Sequence, residues 1–214
     1  MKNIFPVYKP PGISSYDVIR KLKQKYPGQK IGHGGTLDPL AEGLLIIGVG
    51  REATKQLQSI LKNTKKVYEV EIELGKVSET DDAEGPISVN GDLKFESGEL
   101  TRKRIEEVLS GFIGEIGQTP PRYSAIKVNG VPAYKRARRG EEFVLKPRRV
   151  IINDISILEY SYPFLKLKIT CGSGVYIRSL ARDIGEKLGT GGYVKTLKRS
   201  EVGQYSLLHV QQLP

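Results

Sequence analysis

The chain of 214 residues is long enough to bury a core, and 38% hydrophobic with 27% charged residues is typical of a folded protein rather than a disordered one. Its 34 Lys and Arg against 24 Asp and Glu give a net charge of +10, which fits either a polyanionic partner such as nucleic acid or a solvated basic surface. A single cysteine, Cys171, excludes an internal disulfide and suits a reducing cytoplasm, and no apolar run reaches the length of a membrane span.

The N-terminal segment predicts a strand followed by a capped helix. Ile4 to Tyr8 is the strand, and the rigid turn Lys9-Pro10-Pro11-Gly12 ends it. Ser14-Ser15-Tyr16-Asp17 then has the pattern of a capping box. The helix that it begins has its apolar face at Val18, Ile19 and Leu22.

The central segment, Gly32 to Gly43, places a carboxylate on a loop rich in glycine and proline. Three glycines before Asp38 permit tight turns, and the apolar run Leu44 to Val49 predicts a buried strand. Two interpretations of Asp38 remain open on these residues. It is either a reacting acid that the loop holds rigidly, or the N-cap of a helix with Pro39 at the first helical position.

The next elements follow from hydrophobic periodicity. Arg51 to Leu61 predicts an amphipathic helix. Val67 to Leu74 alternates apolar and polar residues, which predicts a half-buried strand of an antiparallel sheet. Tyr68 on that strand is by residue type a tyrosine of the core or its rim. Ser78 to Gly85 is an acidic turn that we expect to be a solvated loop.

The C-terminal half predicts more strands and helices, and the whole is therefore an α+β protein with a mixed, mainly antiparallel central sheet and packed helices. Three helices are predicted: one at 101–109, a basic exposed one at 132–139, and one whose first turns lie within Gly172 to Leu180. The strands are 150–158, 164–170 and 193–199. The densest basic region, 134–149, fits either a solvated face or a contact with phosphates and bases.

Several strings then resemble one family, the TruB-type tRNA pseudouridine synthases. Gly32 to Leu45 (GHGGTLDPLAEGLL) resembles the central motif of that family, and Lys9 to Ser15 resembles its N-terminal motif. Gln118 to Lys127 resembles Q-x-P-P-x-Y-S-A-x-K, and Tyr134 to Gly140 fits Y-x-x-A-R-x-G. Further along, Gly174 to Arg178 fits G-x-Y-I-R, and Leu197 to Arg199 fits L-x-R. The motifs follow the family order over nearly the whole chain.

The resemblance implies a catalytic site and its residues. Asp38 would be the catalytic residue, Arg178 would pair with it, and Tyr68 would stack on the target uracil and help to remove its C5 proton. Substrate-binding residues would be His33, Leu197, Lys9, Tyr123, Lys127, Tyr134 and Arg138. The reaction needs no cofactor, and the positions of His33, His209 and Cys171 fit no zinc pattern, so we expect no metal.

The resemblance also implies an organisation and a substrate. We expect one catalytic domain over residues 1–214, in the pseudouridine synthase fold, with a thumb-like insertion at about 120–149 that closes on RNA, and no C-terminal PUA domain. The activity would be isomerisation of the T-loop uridine of tRNA, position 55, to pseudouridine. The partner would be the T-arm stem-loop of tRNA, met by a cytoplasmic monomer with neither a membrane nor an obligate protein partner.

Three other functions stay open at this point. One is a non-catalytic RNA-binding or tRNA-folding module, in which Asp38 would be expendable. The second is a synthase acting on another RNA through a guide RNA, as dyskerin-like proteins do, although Leu40-Ala41-Glu42-Gly43 looks bacterial. The third, a protein of the membrane surface, is disfavoured because the chain has neither a strongly amphipathic basic helix nor a lipidation motif.

Overall fold

The structure is a computed structural model that describes residues 3–62, 64–89 and 100–213. The strands are β1 Ile4–Lys9, β2 Ile31–Gly34, β3 Glu42–Val49, β4 Lys66–Leu74, β5 Lys76–Ser78, β6 Ile87–Val89, β7 Gly114–Gln118, β8 Lys127–Val128, β9 Val131–Pro132, β10 Arg148–Ser161, β11 Phe164–Cys171, β12 Gly192–Val202 and β13 Tyr205–Ser206. The helices are α1 Ser15–Lys25, α2 Arg51–Leu61, α3 Arg102–Ser110, α4 Ala133–Ala137, α5 Ile177–Leu188 and a short 3₁₀ turn, Leu207–His209.

The main sheet orders its strands β1-β3-β12-β4-β11-β10-β7, with β2 also paired to β3 and β13 to β12. The β1–β3, β2–β3, β7–β10 and β12–β13 pairs are antiparallel, and β3 pairs with β12 in parallel. The sheet is therefore mixed and mainly antiparallel, and helices are interspersed with its strands along the chain. This confirms the predicted α+β class.

The chain forms two compact units. The first takes the described residues up to residue 69, together with 168–173 and those from 196 onward. The second takes residues 70–167 and 174–195. Strands β4, β11 and β12 each contribute residues to both units. The expectation of a single catalytic domain stays a prediction.

In the first unit, β3 is covered on both faces, which explains its uninterrupted apolar sequence. Leu44 and Ile46 pack with Leu57 and Leu61 of α2. The alternate residues of the strand, Leu45 and Ile47, pack with α1 through Val18, Ile19 and Leu22. Because adjacent side chains of a strand point to opposite faces, both sets must be apolar. The predicted buried strand and the apolar faces of both helices are confirmed.

The start of α1 also has the predicted form. The Ser14 side chain accepts a hydrogen bond from the Asp17 backbone, and the Asp17 side chain accepts one from the Ser14 backbone, which completes the capping box. Each supplies a partner for an amide that the first turn of a helix leaves without one. The helix therefore begins where its sequence predicts.

In the second unit, the predicted helices at 101–109 and after Gly172 are α3 and α5. Ile105 and Leu109 of α3 are buried, as are Leu180, Ile184 and Leu188 of α5. Gly185 lets α5 approach the following turn, because a Cβ there would lie 2.3 Å from the carbonyl carbon of Gly191. The basic segment at 132–139 forms only the short helix α4, which follows the β8–β9 hairpin.

The structure decides between the two interpretations of Asp38 and departs from expectation at one residue of β4. Asp38 and Pro39 begin no helix: the backbone is irregular from Gly35 to Ala41, and β3 begins at Glu42. Strand β4 has the predicted alternation from Tyr68 to Ile72, but Glu73 on its polar face is only 6% exposed, and Lys76 and Tyr193 donate hydrogen bonds to it. Within the part of the chain that is described, no helix has the length and apolarity that crossing a membrane requires.

Candidate active site

The candidate site is built around the irregular segment of residues 35–41, here called the Asp38 loop, between β2 and β3. Gly35 has φ +69°, a conformation that suits glycine. A Cβ at that position would also lie 3.3 Å from Nη1 of Arg199. The amide of Ala41 donates to the Asp38 carbonyl over 3.1 Å, and a tight turn thereby leads into β3.

Three buried side chains hold the backbone of the Asp38 loop at alternate residues. Arg199 of β12 donates from Nη2 to the Gly35 carbonyl over 2.7 Å. Ser15 of α1 donates to the Leu37 carbonyl and accepts from the Leu37 amide, each over 2.9 Å. Lys9 of β1 donates to the Pro39 carbonyl over 3.2 Å. Residues 35, 37 and 39 are thus fixed from three elements of the first unit.

Lys9 is completely buried, and its ammonium group also donates to the carbonyls of Pro10 and Ile13 over 2.9 and 2.7 Å. A buried ammonium needs such oxygens to replace lost hydration. The Gly12 amide donates to the same Pro39 carbonyl over 2.8 Å. The turn after β1 and the Asp38 loop are therefore joined, and the geometry places Lys9 as a support of the loop. Its predicted contact with substrate stays a prediction.

Tyr68 of β4 is 7% exposed and interacts electrostatically with Asp38 and Arg199. Burial raises the pKa of the Tyr68 hydroxyl, the Arg199 guanidinium works against that rise, and the Asp38 carboxylate adds to it. The pKa of the Tyr68 hydroxyl is raised overall, so Tyr68 is a neutral phenol at neutral pH. The Asp38 carboxylate is thus close enough to influence the Tyr68 hydroxyl, and the roles predicted for both residues stay predictions.

Arg199 is 1% exposed and spans two parts of the first unit. Besides its bond to Gly35, it donates from Nε to the Leu44 carbonyl of β3 over 2.9 Å. Its charge also lowers the pKa of two neighbours, His33 and Lys66, where burial is the larger cause in each. Arg199 is therefore the central cation of the first unit's candidate site.

His33 and Leu197 also belong to the first unit. His33 lies on β2, and its buried Nδ1 has no hydrogen-bond partner among residues 3–62, 64–89 and 100–213. Because burial and then Arg199 lower the pKa of His33, a neutral imidazole is favoured. Leu197 lies on β12 and is 7% exposed. The roles predicted for both remain predictions.

Arg178 lies in the second unit at the start of α5 and is 6% exposed. It donates to the carbonyls of Thr80 and Tyr123 over 2.9 and 3.0 Å, and an Nη1–Oδ2 distance of 3.3 Å separates it from Asp82. Arginines on helices are more often exposed, but Arg178 is buried. Asp38 belongs to the first unit, and its pairing with Arg178 stays a prediction.

The acidic turn of residues 78–85 is only partly the solvated loop that its composition predicts, because Glu79 and Glu84 are exposed while Asp81 and Asp82 are buried. Asp82 is 1% exposed, and its carboxylate accepts from the Thr80 hydroxyl over 2.5 Å. Asp81 is 9% exposed and accepts from Arg182 over 2.9 Å. Burial raises the pKa of Asp81 to about 6, although Arg182 works against that rise. Arginines that follow almost a hundred residues later cover these carboxylates, which local composition does not reveal.

The remaining predicted substrate-binding residues lie in the second unit near the β8–β9 hairpin. The Tyr123 hydroxyl donates to Glu79 over 2.6 Å, and Lys127 is exposed on β8. Tyr134 lies on α4, and the guanidinium of Arg138, the residue that follows this helix, lies 5.6 Å from its ring centre, within the range of a cation–π interaction. Tyr134 and Arg138 thus form a pair, with Arg138 exposed. Their contact with RNA stays a prediction.

Sequence reasoning missed Ser15 and the role of Arg199. Ser15 follows the N-cap residue Ser14 and was interpreted only as part of the capping box. Arg199 is two residues after the apolar Leu197, so a strand places both on one face. An arginine on the inward face of a strand was the available signal. Across the described ranges, no group of three or more His, Cys, Asp or Glu side chains has the arrangement of a metal site.

Two family models match the chain. The model described as TruB family pseudouridylate synthase (N terminal domain) matches residues 20–177. The model described as tRNA pseudouridylate synthase B C-terminal domain matches residues 178–213. Both matches agree with the family that the motifs indicate.

Among solved structures, the chain is similar to one described as a crystal structure of a Cbf5-Nop10-Gar1 complex, with 27% identity, a TM-score of 0.71, and coverage of 95% of this chain and 50% of that one. It is also similar to an H/ACA RNP bound to a substrate RNA containing 2'-deoxyuridine, with 25% identity, a TM-score of 0.68, and coverage of 95% and 48%. These neighbours confirm the predicted pseudouridine synthase fold.

Relatives named tRNA pseudouridine synthase B share more of the sequence. The Nitrosospira multiformis protein is 46% identical over 93% of this chain and 63% of its own length. Proteins from Dehalococcoides mccartyi and Clostridium acetobutylicum are each 42% identical, over 97% and 96% of this chain and 67% and 69% of their own lengths. The chain thus spans about two thirds of the relatives' lengths. On the family models and these identities, the chain belongs to the TruB family of pseudouridylate synthases.

Proposed function

We propose that this chain isomerises the T-loop uridine of tRNA, at position 55, to pseudouridine, with Asp38 as the catalytic residue. The observation that carries the proposal is the Asp38 loop: its backbone is held at three residues by buried side chains, and Asp38 interacts electrostatically with the buried Tyr68. Membership of the family and relatives named for tRNA support the same substrate.

The reaction defines what the site must do. Uracil leaves its ribose at N1, turns, and rejoins the same C1′ through C5, while C5 gives up its proton and N1 gains one. No water or group donor is consumed. The base has to leave its stack, which costs a few kcal/mol. A carboxylate next to C1′, C2′ or C6 then serves as nucleophile or base, and the proposal assigns that role to Asp38.

Tyr68 is suited to hold the uracil ring. Stacking of a base on an aromatic ring contributes about 1–3 kcal/mol. The raised pKa of the Tyr68 hydroxyl keeps the phenol neutral, which favours stacking or donation of a hydrogen bond over removal of the C5 proton. Burial and the Arg199 charge lower the pKa of His33, and we assign its neutral imidazole, on β2 immediately before the Asp38 loop, to holding the flipped nucleotide.

The second unit supplies the groups proposed to bind the RNA backbone. Arg138 is exposed beside the ring of Tyr134, and such pairs bind phosphates and stack on unpaired bases. Lys127 on the neighbouring hairpin adds an exposed cation. We assign these residues to a thumb that contacts the T-arm stem-loop. We expect the chain to act in the cytoplasm on its proposed tRNA substrate, and we propose that it acts as a monomer.

The similarity to H/ACA complexes brings up a second candidate function, a synthase that selects its substrate through a guide RNA. The sequence identities argue against this function. Relatives at 42–46% identity are named for tRNA, while the structures described as Cbf5 and H/ACA complexes are 25–27% identical. We therefore propose a synthase that selects its uridine in the T arm without a guide.

The experiment uses a T-arm hairpin transcribed with uridine tritiated at C5. The wild-type chain should release tritium from this RNA alone, and mapping should place pseudouridine at the T-loop position. Asp38→Asn should retain affinity for the hairpin and release none, because the amide is neither a base nor a nucleophile. A hairpin with cytidine at the target position is the control for other uridines. Tritium release by Asp38→Asn at the wild-type rate would refute the catalytic assignment, and an inactive wild-type chain that binds the hairpin would favour an RNA-binding module.

A further inference from the structure

Ser15 stands out among the three supports of the Asp38 loop because its hydroxyl group makes both of its hydrogen bonds to one residue. It donates to the Leu37 carbonyl and accepts from the Leu37 amide, each over 2.9 Å. Ser15 is 2% exposed and Leu37 is 3% exposed, so water does not compete for these groups. The two residues are 22 positions apart in the chain.

This geometry acts on Asp38 through the peptide plane. The Leu37 carbonyl belongs to the planar peptide group that also contains the nitrogen and Cα of Asp38. A hydrogen bond at that oxygen therefore restrains the direction in which the Asp38 side chain leaves the backbone. The second bond, at the Leu37 amide, restrains the preceding peptide plane. Together they limit rotation on both sides of Leu37, immediately before the carboxylate.

The helix does not need this hydroxyl group. Ser14 already caps α1, through its hydrogen bond with the Asp17 backbone and the reciprocal bond from Asp17. Ser15 is the first residue of α1, and its side chain is directed at the loop. A buried hydroxyl is favourable only when it is hydrogen-bonded, and here the loop backbone provides both partners.

We infer that Ser15 is a positioning residue for Asp38: its hydroxyl group fixes the Leu37–Asp38 peptide plane so that the carboxylate meets the ribose and base in a reactive geometry. The inference rests on the proposed function. Lys9 and Arg199 support the same loop, but each is a buried cation with several carbonyl partners, so their removal would disturb more than the loop. Ser15 is small and neutral, so its substitution tests the support of the Leu37–Asp38 peptide without removing a buried charge.

The test compares Ser15→Ala with Ser14→Ala. Both remove one hydroxyl from the beginning of α1, but only Ser15→Ala frees Leu37. With the tritiated hairpin under single-turnover conditions, Ser15→Ala should lower the rate about tenfold to a hundredfold, since small misplacements of a reacting group have effects of this size. Its dissociation constant for the hairpin should remain within about twofold, because Ser15 is only 2% exposed and so offers almost no surface for a ligand to contact. Ser14→Ala should melt at a lower temperature and keep the wild-type rate at a temperature where both variants are folded.

The outcomes separate the two proposals. If the wild-type chain releases tritium and Ser15→Ala reacts as fast as Ser14→Ala, the positioning role is overturned and the proposed function stands. If the wild-type chain binds the hairpin without releasing tritium, the proposed function is refuted, and so is the positioning role of Ser15. If Ser15→Ala does not fold, Ser15→Cys decides, because its thiol fills the space and is a weak donor and acceptor. Its rate should also fall, with unchanged affinity, and a wild-type rate would overturn the inference.

Discussion

Gly43 is the position where a single methyl group should most directly disturb the hold on the Asp38 loop. It has φ +107° and pairs with Lys9 of β1 on one side and with Arg199 of β12 on the other. A Cβ at Gly43 would lie 2.3 Å from the Arg199 carbonyl oxygen and 2.9 Å from its amide nitrogen. Both atoms are backbone, so β12 would have to move away from β3. Gly43→Ala should therefore both destabilise the first unit and slow the reaction.

The magnitude follows from two separate costs. A positive φ costs a residue with a Cβ about 1–2 kcal/mol. Forcing apart a packed region adds about 1–3 kcal/mol, so the total for Gly43→Ala is about 2–5 kcal/mol. Gly50 is the matched control, because its φ is +94° and the nearest atom to its Cβ is Nδ2 of Asn3 at an ordinary 3.9 Å. Gly50→Ala should incur only the first cost.

The assay is urea unfolding followed by circular dichroism, with the tritium-release rate measured on the folded variants. Gly43→Ala should unfold at a clearly lower urea concentration than Gly50→Ala, and only Gly43→Ala should lower the rate, because Arg199 holds Gly35 as well as β3. Equal losses of stability would refute the argument from close approach. A wild-type rate in a destabilised Gly43→Ala would refute the link to the loop.

Three further predictions concern charge. Asp82→Asn should cost about 3 kcal/mol of unfolding free energy, because it removes the carboxylate that lies 3.3 Å from the buried Arg178, and thermal unfolding at neutral pH measures the loss. Burial raises the pKa of Glu73, but hydrogen bonds from Lys76, Tyr193 and Lys195 outweigh it and lower the pKa from 4.5 to about 2. Since the folded-state pKa is the lower one, this stabilisation is complete above about pH 4.5 and is lost as pH falls toward 2. Urea titrations should therefore show the advantage of the wild type over Glu73→Gln shrinking by roughly 2 kcal/mol between pH 7 and pH 3, whereas a constant difference would contradict it. Finally, affinity for the T-arm hairpin should fall steeply with added salt, as contacts to phosphates require, and a flat filter-binding response would contradict the basic surface.

Several strands and helices could be predicted from the sequence because local residue patterns determine them. The uninterrupted apolar run from Leu44 to Val49 predicted a strand buried on both faces, and its two sets of side chains do pack on different helices. The capping box at Ser14 and Asp17 placed the start of α1 correctly, since capping involves only neighbouring residues. The motif around Asp38 indicated the family through residue choices that also determine the loop. In these places the relevant interactions lie within a few residues of one another.

Only the tertiary structure decided what the polar residues do. Asp38 and Pro39 fit a helix cap by local chemistry, yet Ser15, Lys9 and Arg199 hold them in an irregular loop that leads to a strand. The composition of the acidic turn predicts a solvated loop, yet Asp81 and Asp82 are buried and paired with Arg182 and Arg178 from far along the chain. The physical reason is the same in each case. A polar side chain can be buried only where its partners are supplied, and here those partners come from sequence-distant segments that meet only when the chain has folded.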